Sequence, residues 1–231
     1  MKETSMKRIK IILSFPTLTA SNKFITIRDS QYIDHYRDFI VCRFPYIKEN
    51  WNNVFDSSGN TIKRELVNSN PEFQLFVYKK GEQYGFYFDS LADRSGNRFK
   101  VDSFLRDRLA FNETLLLKPD DSLLEKKSEA GGSIHEIYLR VKKTSKWDCD
   151  TNHLYFSDTM KDVGYSFSAR LDSIRQSKLF KIRQVSNGDP TQTNNFFRVR
   201  RETYFEMLTE QLILYKEDIE YYDWLCEQAR N

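Results

Sequence analysis

The segment FQLFVYKKGEQYGFYF, residues 73–88, places the strongest constraint on the fold. Two runs rich in aromatic and β-branched residues flank the polar stretch KKGEQ, and this pattern predicts a β-hairpin. A second hairpin is predicted across DSSGN, residues 56–60. Further strands are predicted at IKIILSF, KFITI and SIHEIYLRVK. Six or seven short strands within residues 1–143 favour a barrel or a sandwich over alternating βαβ units.

Helical spacing appears in three places. A helix is predicted after Asp29 or Ser30, with Tyr32, Ile33, Tyr36, Phe39 and Ile40 as its apolar positions. Another is predicted around residues 169–179. The stretch from residue 195 onward begins extended and is then predicted to form one long helix. Its apolar stripe comprises Phe205, Leu208, Leu212, Tyr215, Ile219 and Tyr222. The segment LLEKKSEAGGSI, with its charges and glycines, is interpreted as a loop.

These patterns predict two parts. Residues 7–143 form a mainly β (α+β) body with short flanking helices, and residues 144–231 form a mixed, largely helical extension that ends in a long acidic helix. With 231 residues, 39% of them hydrophobic, the chain can bury a core. Wholesale disorder is therefore not expected.

Charge is distributed unevenly along the chain, although the net charge is only +3. Residues 164–201 carry eight basic and two acidic side chains, whereas residues 202–231 carry eight acidic and two basic ones. Such asymmetry suits a surface that faces a polyanion, followed by a solvated acidic helix. The basic side chains are Arg170, Arg175, Lys178, Lys181, Arg183, Arg198, Arg200 and Arg201.

The three cysteines, Cys42, Cys149 and Cys226, are far apart and odd in number. This usage is typical of reduced thiols in a cytoplasmic protein. No CxxC pair is present, so we expect no structural metal and no cofactor. The apolar run IKIILSF is too short for a signal peptide or a membrane span, and no membrane association is expected.

Two stretches carry a family resemblance. TLTASNKFITIRDSQYIDHYRDF resembles the opening of a B3-type DNA-binding pseudobarrel, and YGFYFDSLADRSGNRFKVDSFLRDRLAFNETLLLK is similar to the middle of that family. Asn112-Glu113 stands where the family usually has Gly-Asp, and Asp102-Ser103 replaces its common Gly-Trp. The resemblance covers about 135 residues and implies a B3-like open pseudobarrel.

The same resemblance implies a function. B3 domains grip the DNA major groove with two arm loops, and such domains serve as target-recognition modules of bacterial restriction enzymes. An amino-terminal module of an McrB-related, LlaJI-type restriction subunit is the sharper expectation. The chain would then bind double-stranded DNA sequence-specifically without being an enzyme. Catalysis would belong to further domains or subunits of a restriction-modification complex.

The residues of the two arms have the chemistry that base reading needs. The first arm supplies Ser21, Asn22 and Lys23, with Arg28 beyond the strand; the second supplies Ser90, Asp93, Arg94, Ser95, Asn97 and Arg98. Arginine pairs with guanine and asparagine with adenine, while serine and lysine reach phosphates. Residues 164–201, which we call the basic segment, supply four further predicted phosphate contacts: Lys178, Lys181, Arg183 and Arg198.

Plainer interpretations remain open. The second arm could be an ordinary hairpin tip, and the basic segment a solvated face or one paired with the acidic segment that follows. A protein-interaction or oligomerisation module would use the apolar stripe of the long helix. A metal-dependent nuclease would need more than Glu136 and its neighbouring lysines. The cluster of Asp148, Cys149, Asp150 and His153 is the only metal-like one, and it lacks a second half.

Overall fold

A computed structural model describes residues 4–90, 93, 95–109 and 116–230. These residues contain eleven β-strands: β1 Thr4–Leu18, β2 Phe24–Tyr36, β3 Phe39–Phe55, β4 Thr61–Lys79, β5 Tyr84–Phe88, β6 Asn97–Lys100, β7 Ser122–Ser128, β8 Ile134–Leu139, β9 Thr151–Ser157, β10 Lys178–Ser186 and β11 Arg201–Leu214. They also contain the α-helices α1 Val101–Arg108, α2 Ala169–Arg175, α3 Asn195–Arg198 and α4 Lys216–Gln228, and 3-10 turns at Ala130–Gly132 and Asp158–Met160.

The strands form one open antiparallel sheet in the order β6-β5-β4-β3-β2-β1-β11-β10-β9-β8-β7. The prediction of a mainly β chain is therefore confirmed. Both predicted hairpins are present as well: β3 and β4 are joined through residues 56–60, and β4 and β5 through residues 80–83.

Contacts divide the chain into two compact units that interleave in sequence. Unit 1 comprises residues 1–8, 31–102 and 211–231, and unit 2 comprises residues 9–30 and 103–210. The boundary predicted after Lys143 falls inside unit 2.

In unit 1, α4 packs on the face of the sheet that carries the core. The buried cluster comprises Met6, Tyr36, Phe39, Val41, Leu75, Val77, Phe88, Leu214, Tyr222, Leu225 and Cys226. In unit 2, strands β9 and β10 are buried through Leu154, Phe156, Leu179 and Ile182, each fully shielded from solvent. Burial of this apolar surface is the main stabilising term in both units.

The helix predicted after Asp29 is wrong. These residues form the end of β2, which pairs with β3 from Tyr32↔Arg43 to Tyr36↔Phe39 across a two-residue turn. Arg37 in that turn has a φ of +52°. Aromatic and β-branched side chains suit a paired strand, and here the tertiary pairing overrides the helical spacing.

Two further predictions need correction. Residues 201–214 are strand β11, paired with β10, and the C-terminal helix begins only at Lys216. Because β9, β10 and β11 all lie beyond residue 143, that part of the chain is not largely helical. The predicted loop LLEKKSEAGGSI contains the exposed strand β7, paired with β8. Both segments are strands because they pair with a neighbouring strand, and a local sequence pattern does not reveal that pairing.

Candidate nucleic-acid interface

The first predicted arm is a short turn in unit 2. The Asn22 amide donates to the Thr19 carbonyl at 2.9 Å, and the Thr19 hydroxyl accepts from the Lys23 amide at 3.1 Å. Asn22 has a φ of +60°, a left-handed conformation that asparagine tolerates better than most residues. The predicted side chains Ser21, Asn22, Lys23 and Arg28 are all exposed. Within the described residues, the Ser21 hydroxyl forms a hydrogen bond with that of Thr19 at 2.9 Å, and the side chains of Asn22, Lys23 and Arg28 form none.

The second predicted arm lies in unit 1, and its described part begins at Ser90, which is half-buried. Arg94 lies outside the described residues. The Asp93 carboxylate accepts from the Ser95 amide at 2.9 Å and the Ser95 hydroxyl at 3.1 Å, and also from the Asp89 amide at 3.2 Å. Asp93 therefore fixes the loop backbone. A Cβ on Gly96 would lie 2.6 Å from the Phe88 ring, so only glycine lets the loop pack so closely.

Asn97 and Arg98 are exposed at the start of β6. Arg98 lies opposite Phe86 on β5, and its guanidinium carbon is 4.2 Å from the centre of the Tyr84 ring. Such stacking holds a guanidinium in place while its donors stay available.

Arg98 contributes to a pocket of about 430 Å³ in unit 1, which we call the basic pocket. It is lined by Lys79, Glu82, Tyr84, Phe86, Arg98, Ala229 and Arg230. Within the described residues, none of the three cations Lys79, Arg98 and Arg230 forms an ion pair, although Arg230 lies over the Phe39 ring at 5.5 Å. Three cations facing a single carboxylate, Glu82, give the pocket a net positive charge.

The basic segment of unit 2 is largely neutralised from within. Lys178 lies 2.9 Å from Asp172, and Lys181 lies 3.2 Å from Glu206. Arg183 donates two hydrogen bonds to Glu202, at 3.0 and 2.8 Å, and this pairing lowers the pKa of Glu202 to about 2. Two of these carboxylates, Glu202 and Glu206, follow the segment in sequence. The pairing of β10 with β11 brings them to Arg183 and Lys181.

Arg198 is the member of the predicted phosphate-binding set that stays unpaired among the described residues. It is exposed at the end of α3. Arg201, which sequence reasoning grouped with the same segment, lines two neighbouring pockets of unit 2 together with the aromatic side chains of Trp147, Phe196 and Phe197. Sequence reasoning missed this site; the adjacent aromatic pair in NFFRVRR is the one signal that pointed to it.

The metal-like cluster does not converge. Asp148 binds Lys118 at 2.8 Å and the amides of Thr144 and Ser145, while Asp150 binds Lys143 at 2.5 Å. Cys149 is buried, and burial raises the pKa of its thiol to about 11. In the described parts of the chain, no group of three histidine, cysteine or acidic side chains could hold a metal ion.

His153 instead contacts His135, with 3.1 Å between Nδ1 of the former and Nε2 of the latter. Burial, reinforced by the charge of Arg183, lowers the pKa of His153 to about 4, and burial also lowers that of His135. Both rings are therefore neutral at pH 7.

Glu136, the residue considered for a nuclease, is 1% exposed. It accepts from Arg175 Nε at 2.9 Å and from the Tyr138 hydroxyl at 2.8 Å, and Lys126 lies 3.4 Å away. A carboxylate held by these neighbours has the surroundings of a structural ion pair rather than of a metal ligand.

No protein-family model matches the chain, and no curated protein sequence matches it either. Among the described residues, no helix has both the length and the apolar character needed to cross a membrane.

Proposed function

We propose that the chain is a sequence-specific double-stranded DNA-binding domain with a B3-like pseudobarrel, acting as the target-recognition part of a bacterial restriction system. In this proposal the domain is cytoplasmic, needs no cofactor and is not an enzyme. The observation that carries it is the basic pocket, where Arg98 of the predicted second arm lies beside Lys79 and Arg230.

The charge and geometry of the basic pocket suit a phosphate backbone. Unpaired cations release condensed counterions when they bind DNA, so each one adds affinity that falls with salt. The ring of Tyr84 fixes the Arg98 guanidinium and so lowers the entropy lost when a phosphate or a guanine binds. The cations of the basic segment that are already paired with carboxylates would first lose those ion pairs. For this reason the proposal assigns contacts to Arg98 and Arg198 before Lys178, Lys181 and Arg183.

The first-arm residues Ser21, Asn22, Lys23 and Arg28 enter the proposal as base or phosphate contacts from an exposed turn. Arg94 and Asn97 enter it as base contacts from the second arm. In the same proposal, Asp93 has a structural role, because its carboxylate binds the amides of Asp89 and Ser95.

Fluorescence anisotropy with a randomised duplex library, followed by the selected sequence, tests the proposal. We expect Arg98→Ala to weaken binding about three- to tenfold and to reduce the salt slope by about 1. Arg106→Ala is the matched control, because it removes the same charge from an exposed side chain of α1 outside the pocket. Equal effects of the two substitutions, or no duplex binding by the unaltered chain, would refute the assignment.

A second candidate function, self-association, is favoured by a different observation. The apolar stripe on which an interaction module was predicted is only partly exposed: Tyr222 is buried and Ile219 packs against the unit 1 core, whereas Leu208 and Tyr215 are exposed. A larger group of exposed apolar side chains lies on the outer part of the β3–β4 hairpin, residues 47–71, which we call the ribbon. Each strand of the ribbon extends roughly 30 Å at 3.4 Å per residue.

One face of the ribbon carries four exposed apolar side chains among polar ones. Ile47, Trp51, Leu66 and Phe55 point the same way in the register of β3 and β4, and between 37% and 67% of each is exposed. The Arg64 guanidinium lies 4.5 Å from the Trp51 ring on this face. A two-stranded ribbon is marginally stable alone in water, so a partner that covers this face would stabilise it.

A second copy of this chain is the partner that we propose. The ribbon contains three basic and three acidic side chains, and a neutral patch can face itself across a two-fold axis without charge repulsion. Because the ribbon has no net charge, it would not attract a polyanion.

Light scattering over a range of protein concentrations tests self-association. We expect the unaltered chain to form a dimer and the double variant Trp51→Ser, Phe55→Ser to remain a monomer. Val54→Ser is the control, because Val54 lies opposite Lys63 on the other face of the ribbon. A monomer at all concentrations, or a dimer that survives the double substitution, would exclude this interface.

A further inference from the structure

We propose that the two neighbouring pockets beside Arg201 form one binding site for a nucleotide. The phosphate would bind at Arg201 and Lys146, and the base would stack on Trp147. This site lies in unit 2 and does not depend on the proposed DNA-binding function, which is carried by the basic pocket of unit 1.

Arg201 is the side chain whose surroundings most clearly lack a partner. It is partly buried, yet its guanidinium forms no hydrogen bond or ion pair with any described residue, and its Nε is shielded from solvent. It packs over the rings of Phe196 and Phe197 at 4.5 and 4.9 Å. Burial lowers the pKa of Arg201 from its usual value, and the negative charge of Asp150 opposes this shift. The shielded Nε has no acceptor among the described residues, and an anionic ligand would supply one.

In the described residues, each carboxylate of the first pocket is bound by other residues and none forms a hydrogen bond or ion pair with Arg201. Asp148 is bound by Lys118, Asp150 accepts from the Asn187 amide in addition to its ion pair with Lys143, and Asp189 accepts from Thr191 and Gln192. Lys146 also lines the first pocket, and its ammonium lies 4.8 Å from the centre of the Phe197 ring. Arg201 and Lys146 are therefore available together to an anion.

The second pocket supplies a flat apolar surface. It has a volume of about 210 Å³, is lined by Phe15, Pro16, Trp147 and Phe196, and shares Arg201 and Ser186 with the first pocket. The Trp147 indole is 66% exposed, but the rings of Phe196 and Phe197 hold it at centroid distances of 5.6 and 4.8 Å. An exposed ring fixed by two others is a ready stacking surface.

The two pockets together indicate the ligand class. The first has about 390 Å³ and includes both cations in its lining, so the volume of the pair falls within the roughly 300–1,000 Å³ of small-molecule sites. A ligand that fills both needs an anionic group at Arg201 and a planar ring that reaches Trp147. A nucleoside monophosphate has both groups, and stacking of a base on an aromatic side chain is worth about 1–3 kcal/mol.

Isothermal titration calorimetry of the full chain with adenosine and thymidine monophosphates tests the proposal. We expect adenosine or inorganic phosphate alone to bind at least tenfold more weakly than the monophosphate. We also expect Arg201→Gln and Trp147→Ala each to weaken binding at least tenfold. Trp147→Ala removes an exposed ring and leaves the core intact, so the test does not depend on the folding of the Arg201 variant. Leu124→Ala, which truncates an exposed apolar side chain of β7 in unit 2 outside both pockets, is the control.

A 5′-phosphorylated single-stranded oligonucleotide distinguishes the source of the nucleotide. Binding of the oligonucleotide that Trp147→Ala weakens would mean that the site takes a nucleotide within a strand, whereas binding of the monophosphate alone would mean a free nucleotide. Arg106→Ala should leave either result unchanged, because Arg106 is exposed in α1 and lines neither these two pockets nor the basic pocket. Binding of neither ligand at millimolar concentration, or binding that both variants retain in full, overturns the proposal. An aromatic carboxylate that binds as tightly as the monophosphate overturns the phosphate assignment as well.

Discussion

The most sharply testable feature of unit 1 is its buried charge network around Asp34, which is fully shielded from solvent. Its carboxylate accepts from Arg8 Nε at 2.6 Å and Arg8 Nη2 at 2.9 Å, and from the Tyr222 hydroxyl at 2.5 Å. Arg43 Nε lies 2.9 Å from Oδ2 without hydrogen-bond geometry, and its Nη2 donates to the Tyr222 hydroxyl at 2.6 Å. One carboxylate thus balances two guanidinium groups and anchors α4.

We expect Asp34→Asn to destabilise the chain by about 3–5 kcal/mol, because it leaves two guanidinium groups close together without a counter-charge. The side-chain amide of the new asparagine would also place its N–H groups against the N–H groups of the two guanidinium ions. Against a typical stability of about 5–15 kcal/mol, this is a large fraction. At about 2–4 °C per kcal/mol for a chain of this size, the melting temperature should fall by about 6–20 °C.

Guanidinium chloride unfolding and differential scanning calorimetry of the variant measure this loss. Asp223→Asn is the control, since Asp223 is 38% exposed in its pair with Arg37 at 2.6 Å. We expect that control to lose about 1 kcal/mol, in part because the Tyr36 hydroxyl also donates to Asp223. A loss below about 1 kcal/mol for Asp34→Asn would refute the view that burial makes this network critical.

Further expectations concern unit 2. Gly188→Ala should destabilise unit 2 by about 1–3 kcal/mol in urea unfolding. Gly188 has a φ of +83°, and a Cβ there would lie 2.6 Å from the Arg198 carbonyl oxygen. Gly131→Ala is the control for the cost of the dihedral angle alone, because Gly131 has a φ of +79° and open space around it. The lowered pKa of His153, about 4 against an ordinary 6.5, means that the unfolded chain binds a proton in this interval while the folded chain does not. Stability should therefore fall as the pH decreases from about 6.5 to about 4, and His153→Gln should remove about 1–2 kcal/mol of that fall after allowance for the partial exposure of the ring; an unchanged pH dependence in the variant would contradict the assignment.

The hairpins of the chain could be predicted from the sequence because their turn residues lie between runs with a clear strand composition. Gly59 and Gly81 have φ values of +83° and +84°, which is why a glycine occurs at each reversal. The helix predicted after Asp29 and the one predicted across Phe205 failed for a common reason. In both, apolar residues fall at helical spacing by coincidence, and pairing with a neighbouring strand decided the structure.

The interleaving of the two units could not be predicted from local patterns. Strands β1 and β2 each begin in one unit and end in the other, so the unit boundaries fall within elements rather than in linkers. Composition changes mark linkers well but give no signal inside a continuous strand. The boundary predicted between residues 143 and 144 falls in the loop between β8 and β9, which lies inside unit 2.

The candidate site shows a similar limit. Sequence composition finds basic residues, but whether a basic side chain is available to a ligand depends on which acid lies across from it. Arg183 and Arg201 belong to the same basic run, yet β10–β11 register places Glu202 beside the former and leaves the latter against aromatic rings. A shift of one residue would move every side chain of a strand to the other face. The register of a sheet therefore decides whether an arginine is paired with a carboxylate or is available to a ligand. Substitution of Arg98 in unit 1 and of Arg201 in unit 2 discriminates between the proposed sites, because each lines one of the pockets.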